Sequence, residues 1–143
     1  MGVDADSGLV HTVRSTAGHV HDINDGKSLL HGQEQLVFAD TGYQDIEKRP
    51  DAKLDAKWHV AMRPGKLKAL DKGSAADAMM NEAEKLKAGV RAKVEHPFRV
   101  VKRQFGHVKV RYRGLKKNTQ QLMTLFALSY LWMVRSKLMG AGA

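Results

Sequence analysis

The 143-residue sequence contains no cysteine, which excludes disulfides, thiolate zinc sites and a cysteine nucleophile. It also has no long hydrophobic run, since its longest apolar-rich stretch, residues 122–134, falls short of the roughly 20 residues that span a membrane. The first eight residues, MGVDADSG, carry neither the basic nor the apolar segment of a secretory signal. The sequence therefore predicts a soluble intracellular protein of one domain at most, with enough length for a real core.

Acidic residues are scarce in the second part of the chain. Residues 1–56 hold 5 Lys/Arg and 10 Asp/Glu, a net charge of −5, whereas residues 57–143 hold 19 and 5, a net charge of +14. Eight basic residues and no acid lie between Arg99 and Lys117. Such a cationic block indicates nucleic-acid binding, because phosphate neutralisation supplies affinity that is independent of base sequence. A basic surface that is merely solvated stays the alternative.

Hydrophobic periodicity predicts an α/β order of elements. Strands are expected at residues 9–14, 35–40 and 58–62, a short helix at 19–31, and a helix or turn at 43–48. A basic linker is expected at 66–73, a long helix at 80–105 that kinks or breaks at Pro97, a β-like link at 107–113 and a final helix at 116–138.

Two acids lie on separate predicted elements. Asp40 ends the second strand, and Glu95 lies on the long helix between Arg91 and Lys102, at steps of four and seven residues that share one helix side. Carboxylates that converge from separate elements can hold Mg²⁺ for phosphoryl transfer. Each acid also has an ordinary interpretation, Asp40 as a turn cap and Glu95 as part of an exposed salt-bridge stripe with Glu84.

Other residues favour structural roles. The seven histidines lack the spacing of a zinc site, so they are interpreted as surface or core residues. Tyr43, Trp58 and Trp132 are interpreted as packing groups rather than as platforms for nucleic-acid bases.

Four stretches resemble the catalytic domain of bacterial insertion-sequence DDE transposases. They are VDADSGLVHTV (3–13), FADTGYQ (38–44), AMRPGK (61–66) and RAKVEHPFRVVKRQFG with its continuation KVRYRGLKKN (91–118). The branch in question has the pattern tyrosine, two residues, arginine, three residues, glutamate, six residues, lysine. Arg91, Glu95 and Lys102 fit it, while Ala88 stands at the tyrosine position.

The resemblance implies a ribonuclease H-like mixed sheet flanked by helices. Residues 1–65 would form a strand-rich part with the second catalytic acid, and residues 66–143 a basic helical part with the catalytic glutamate. Asp40 and Glu95 would then be catalytic residues and ligands of a two-ion Mg²⁺ or Mn²⁺ site, expected only in the complete domain.

The resemblance also implies double-stranded DNA, at transposon terminal inverted repeats, as the partner of the basic half. A homodimer in a synaptic complex and a cytoplasmic, nucleoid-associated location in bacteria follow from the same resemblance. The residues expected to contact DNA are Arg91, Lys102, Arg103, Lys109, Arg111, Arg113, Lys116 and Lys117.

In the family, the first catalytic aspartate precedes the stretch that matches residues 3–13. The resemblance therefore predicts a chain truncated at the N-terminus, without the first strand and part of the second, and inactive alone. Asp4 and Asp6 lie in a predicted turn and are not expected to replace that acid. Three interpretations stay open: a remnant that binds DNA without cleaving it, a part activated in trans by an upstream fragment, and a basic DNA-binding protein whose acids are structural.

Overall fold

The computed structural model describes residues 1–49, 56–71 and 73–140. The chain divides into two compact units, a first unit of residues 1–18 and 93–143 and a second unit of residues 19–92. Within the described residues, the regular elements are β1 (Gly2–Val3), β2 (Val10–Thr12), β3 (Leu36–Ala39), β4 (Lys57–Val60), α1 (Pro64–Lys68), α2 (Ala75–Arg103) and α3 (Leu115–Gly140).

The four described strands form two separate pairs. β1 and β2 are antiparallel, and β3 and β4 are parallel with Ala39 opposite Val60. Both parallel and antiparallel pairing therefore occur, as the α/β prediction requires, but in two two-stranded sheets rather than in one continuous mixed sheet. The positions of the three predicted strands are confirmed.

The first unit is built on a small apolar core. Val10, Val101 and Phe126 are buried together, and Phe98 meets Phe126 edge to face with 5.4 Å between ring centroids. The turn between β1 and β2 is closed by Asp4, whose Oδ1 accepts from the Ser7 backbone N–H at 2.6 Å. The predicted turn at residues 4–8 is thereby confirmed, and Asp4 serves it as a cap.

The second unit has its own core of Ala39, Ile46 and Trp58. Tyr43 stacks on Trp58 with 6.1 Å between ring centroids, which confirms the packing role predicted for both rings. The Gln44 side-chain amide donates to the Ala61 carbonyl at 2.6 Å and so holds the segment after β3 against the segment after β4.

Two sequence predictions in the second unit are wrong in detail. Residues 19–31 form two short 3-10 helices, Asp22–Asn24 and Gly26–Leu29, rather than one helix. The predicted linker from residue 66 begins inside α1, which Pro64 starts, since proline is pre-set for a first helical turn.

The long helix does not break at Pro97, so of the predicted kink or break the break does not occur. α2 runs without interruption through Pro97, whose side chain is fully buried like that of Val101, and Val100 is buried beside them. An interior proline costs about 3 kcal/mol, and burial of this face of the helix offsets that cost. Met80 and Leu86, apolar residues of the same helix, are exposed.

The predicted β-like link is also absent, because residues 107–113 form no strand. The final helix is confirmed as α3. No helix in the described ranges is long and apolar enough to cross a membrane.

Candidate functional site

Asp40 lies where the sequence predicts it, directly after β3 and exposed to solvent. Its Oδ1 accepts from the Gly42 backbone N–H at 2.9 Å and caps the 3-10 helix Thr41–Tyr43. The turn-cap interpretation of Asp40 is thus confirmed. Its Oδ2 accepts no hydrogen bond within the described part of the chain, so one carboxylate oxygen stays available to a ligand.

A second carboxylate lies close to Asp40 across Gly42. A methyl group built on Gly42 would stand 3.1 Å from Asp40 Oδ1 and 3.3 Å from Asp22 Oδ2. A side chain at position 42 would therefore meet both carboxylates, and each would have to shift by a few tenths of an ångström. Sequence reasoning missed this proximity because no spacing rule links residues 22 and 40.

The pKa of Tyr43 reflects the negative charge near Asp40. Burial of this phenol, followed by the charges of Asp22, Asp40 and Asp25, raises the pKa of Tyr43 to about 12. These acids disfavour a phenolate among them, as like charges do. The turn after β3 is therefore an electronegative part of the second unit.

Glu95 belongs to the first unit and occupies an exposed position on α2. Within the described part of that unit, no hydrogen bond or ion pair engages its carboxylate. The predicted salt-bridge stripe is therefore not formed around Glu95 there.

Glu84, which the sequence places on the same stripe, has a different role. It is buried, and its carboxylate accepts from the Met62 backbone N–H at 2.9 Å and from Lys87 Nζ at 2.6 Å. Burial acts to raise the pKa of Glu84, but the Lys87 and Met62 hydrogen bonds, with the charges of Lys87 and Arg91, outweigh it and lower the pKa below its ordinary value. Glu84 thus joins α2 to the segment after β4.

The residues predicted to contact DNA divide into one partly buried arginine and seven exposed cations. Arg91 is half-buried, and its Nε lies without a hydrogen-bond partner among the described residues. The positive charge of Arg91 also helps to lower the pKa of Glu84, so Arg91 interacts with a buried acid of the second unit. The exposed cations all belong to the first unit: Lys102, Arg103, Lys109, Arg111, Arg113, Lys116 and Lys117.

These seven cations make no ion pair with any residue that the structure describes. Two lie in the last turn of α2, three in the segment between α2 and α3, and two in the first turn of α3. Their charge is therefore not neutralised within the described chain and stays available to an anionic partner.

A family model described as the transposase DDE domain matches residues 1–132. The chain belongs to the transposase DDE domain family. No solved structure matches the chain. The matched range contains both acids and every cation named above. All the candidate site residues of this transposase domain therefore lie within residues 1–132.

The connection between α2 and α3 in this transposase domain, predicted as a β-like link, is a loop bounded by two glycines. We call residues 106–114 the basic loop. Gly106 and Gly114 bound it with φ values of +63° and +86°, which favour glycine. Between them, the cations at 109, 111 and 113 alternate with exposed Val108, Val110 and Tyr112.

The basic loop is held by Asn118 in the first turn of α3. The Asn118 Nδ2 donates to the Tyr112 and Gly114 carbonyls, each at 2.7 Å, and its Oδ1 accepts from the Tyr112 N–H at 3.2 Å. A single side chain thus satisfies both backbone polar groups of Tyr112. The sequence signal for this contact is only an asparagine near a predicted helix start.

Proposed function

We propose that this chain acts in DNA transposition, as part of a DDE transposase catalytic domain of the ribonuclease H-like kind that binds transposon DNA. Family membership over residues 1–132 supports transposition. The observation that carries the DNA-binding part is the set of seven exposed cations between Lys102 and Lys117, which have no ion-pair partner in the described chain.

The DNA contacts are assigned to those seven cations, and Arg91 is retained with them through its place in the family pattern. Lysine and arginine that neutralise phosphates release counterions, so the affinity should fall steeply with salt. Double-stranded DNA is the proposed partner, at terminal inverted repeats. A homodimer in a synaptic complex is part of the same proposal.

We assign Asp40 and Glu95 as the acids that hold Mg²⁺ or Mn²⁺. Both are exposed carboxylates, and oxygen donors of this kind suit these ions. Asp40 offers Oδ2 while its Oδ1 caps the turn, and Asp22 adds negative charge beside it. In the complete domain, a pair of such ions would activate an attacking oxygen and stabilise the leaving oxygen in phosphoryl transfer.

Metal binding is tested by Mn²⁺ titration of the purified chain, followed by electron paramagnetic resonance. We expect Asp40→Asn and Glu95→Gln each to weaken Mn²⁺ binding by at least about 10-fold, because loss of even an outer partner of a ligand costs 10–100-fold. Glu82→Gln, an exposed acid on the same helix, is the matched control and should leave affinity unchanged.

The alternative function is a basic DNA-binding protein without a catalytic role. The cap that Asp40 forms with Gly42 favours it, because this hydrogen bond gives Asp40 a structural role that needs no metal ion. Unchanged Mn²⁺ affinity in Asp40→Asn and Glu95→Gln, with DNA binding intact, would support this alternative and remove the metal assignment.

Activation in trans is tested separately by strand nicking in Mg²⁺. The chain is assayed alone and after mixing with a polypeptide that supplies the family's upstream aspartate strand. We expect DNA binding without nicking for the chain alone. Nicking that occurs only in the mixture, and that Glu95→Gln abolishes, would support a split active site; nicking by the chain alone would contradict the proposed inactivity.

A further inference from the structure

We propose that the basic loop, residues 106–114, is a binding site for an unpaired DNA base, with the Tyr112 ring as the surface on which the base stacks. The inference rests on the proposed DNA binding and goes further, since it names one side chain and one form of DNA. It follows from the fixed backbone of Tyr112, the exposure of its ring and the charges on either side.

The backbone of Tyr112 is held in place although the residue lies in a loop. Its N–H and C=O both bond to Asn118, and the same amide also reaches the Gly114 carbonyl. These three bonds anchor the loop to the first turn of α3, a regular element. A ring carried on a fixed backbone loses less entropy on binding than one on a free loop.

Tyr112 is 51% exposed. Every other tyrosine and tryptophan of the described chain packs against protein groups: Tyr43 stacks on Trp58, Tyr130 packs against the first unit's core, and Trp132 lies under Arg135 at 4.2 Å. Among the tyrosines and tryptophans of the described chain, Tyr112 is thus the one with no stacking, cation–π or core contact.

Charge around the ring indicates nucleic acid rather than protein as the occupant. Arg111 and Arg113 flank Tyr112, Lys116 and Lys117 follow, and none of the four has an ion-pair partner in the described ranges. Phosphates on both sides of one nucleotide could meet these cations while its base lies on the ring. This combination of a cationic track with an aromatic face is how proteins bind single strands.

An unpaired base fits this arrangement better than a paired one. Within a duplex, both faces of a base are covered by its neighbours, so a side chain cannot stack on it without separating the stack. A base that is already unpaired presents its face at much lower cost. The loop should therefore discriminate between a perfect duplex and a duplex that contains an unpaired nucleotide.

The test uses the whole chain and two 20-base-pair duplexes, one perfect and one with a single unpaired 2-aminopurine. We expect tighter binding to the second duplex and a drop in 2-aminopurine emission on binding. Tyr112→Ala should weaken binding to that duplex by about 5- to 100-fold, abolish the emission change and leave the perfect duplex within about 2-fold. Tyr112→Phe, which keeps the ring, should retain both signals.

Two further variants separate stacking from charge. Arg111→Ala should weaken binding to both duplexes equally, because it removes a phosphate contact alone. Asn118→Ala should reduce the preference for the unpaired base, since the ring stays but its backbone is released. Circular dichroism checks that each variant keeps its helix content.

Equal weakening of both duplexes by Tyr112→Ala, or no preference in the unmodified chain, would overturn the stacking site while leaving duplex binding intact. Absence of any DNA binding at low salt would instead remove the DNA-binding function as well. Self-association that Val110→Asp abolishes, with no base preference, would assign the loop to contact with another protein chain and would also overturn the inference.

Discussion

The two units of this transposase domain differ sharply in charge. The first unit holds 12 Lys/Arg and 3 Asp/Glu, a net charge of +9, whereas the second holds 12 of each and is neutral. The whole excess charge of the protein thus resides in the unit that contains the basic loop and α3. Long-range attraction to a polyanion is therefore a property of one unit, not of the chain as a whole.

The acids of the two units differ in their surroundings. In the second unit, Glu84 is buried and hydrogen-bonded, and Asp40 lies beside Asp22 and Tyr43. In the first unit, Glu95 is exposed. The comparison indicates that acids of the neutral unit interact with other groups of that unit. In the cationic unit, Glu95 is available to a partner.

The largest expected effect tests where DNA affinity resides. In a plot of log K for DNA binding against log salt concentration, the slope should become shallower by about 3 when Lys109, Arg111 and Arg113 are all replaced by alanine. Affinity near 100 mM salt should fall roughly 100-fold or more. Fluorescence anisotropy over 50–200 mM salt measures both quantities.

The matched control for this triple variant replaces three exposed lysines of the neutral unit, Lys57, Lys66 and Lys68. This control variant also removes three positive charges, but it should leave the slope of log K against log salt concentration nearly unchanged. Equal losses in the two triple variants would show that net charge alone matters, and the contrast between the units would have no bearing on DNA binding.

A smaller effect tests the acids of α2. Glu84→Ala removes the partner of Lys87 and leaves the Met62 N–H unsatisfied, so we expect a loss of about 3 kcal/mol in the free energy of unfolding. Glu82→Ala is matched to it, since Glu82 pairs with Lys85 at the same spacing but in water, and should cost less than about 1 kcal/mol. Urea unfolding compares them, and similar losses would contradict the buried role of Glu84.

The surroundings of Glu84 also predict that the free energy of unfolding depends on pH. Because the pKa of Glu84 is lowered by folding, its stabilising contribution is present above the ordinary value of 4.5 and is lost as the pH falls through the lower folded value. The stability difference between the unmodified chain and Glu84→Gln should shrink below pH 4.5. A constant Glu84 difference down to pH 3 would refute the linkage.

The smallest effect tests the acidic surroundings of Tyr43. Asp40→Asn should lower the Tyr43 pKa from about 12 towards 10, because one of the charges that raise it is removed while burial stays. Absorbance at 295 nm follows the titration in a Tyr112→Phe, Tyr130→Phe background that leaves Tyr43 as the single tyrosine. The raised pKa stabilises the fold below about pH 10, a contribution lost as the pH rises through 12.

Asp77→Asn is the control for that titration, since Asp77 contributes nothing to the Tyr43 pKa. An unchanged Tyr43 pKa in Asp40→Asn would show that burial alone accounts for the shift. That result would mean that the acids of the turn after β3 do not act on Tyr43.

Local pattern predicted the regular elements well and their ends less well. Apolar alternation located β2, β3 and β4, and three-to-four spacing located α2 and α3. The pattern was misleading about a break at Pro97, where burial outweighs the cost of an interior proline. It was also misleading at 107–113, whose alternating side chains pair with no strand of the described chain.

The candidate site was predicted from sequence only in part. Family resemblance and strand position located Asp40, and the charge run located the exposed cations. The approach of Asp22 to Asp40 and the grip of Asn118 on Tyr112 could not be predicted, because each joins residues through tertiary geometry that no local period encodes.

The sequence by itself determined the family, the main helices and strands, and the total charge of +9. Only the tertiary structure decided which unit carries that charge, because residues 1–18 join the chain from residue 93 onward. It also decided that Glu84 is buried while Glu82 is exposed. Both precede a lysine by three residues on one helix, and only Glu84 meets the Met62 N–H, so packing rather than sequence spacing separates them.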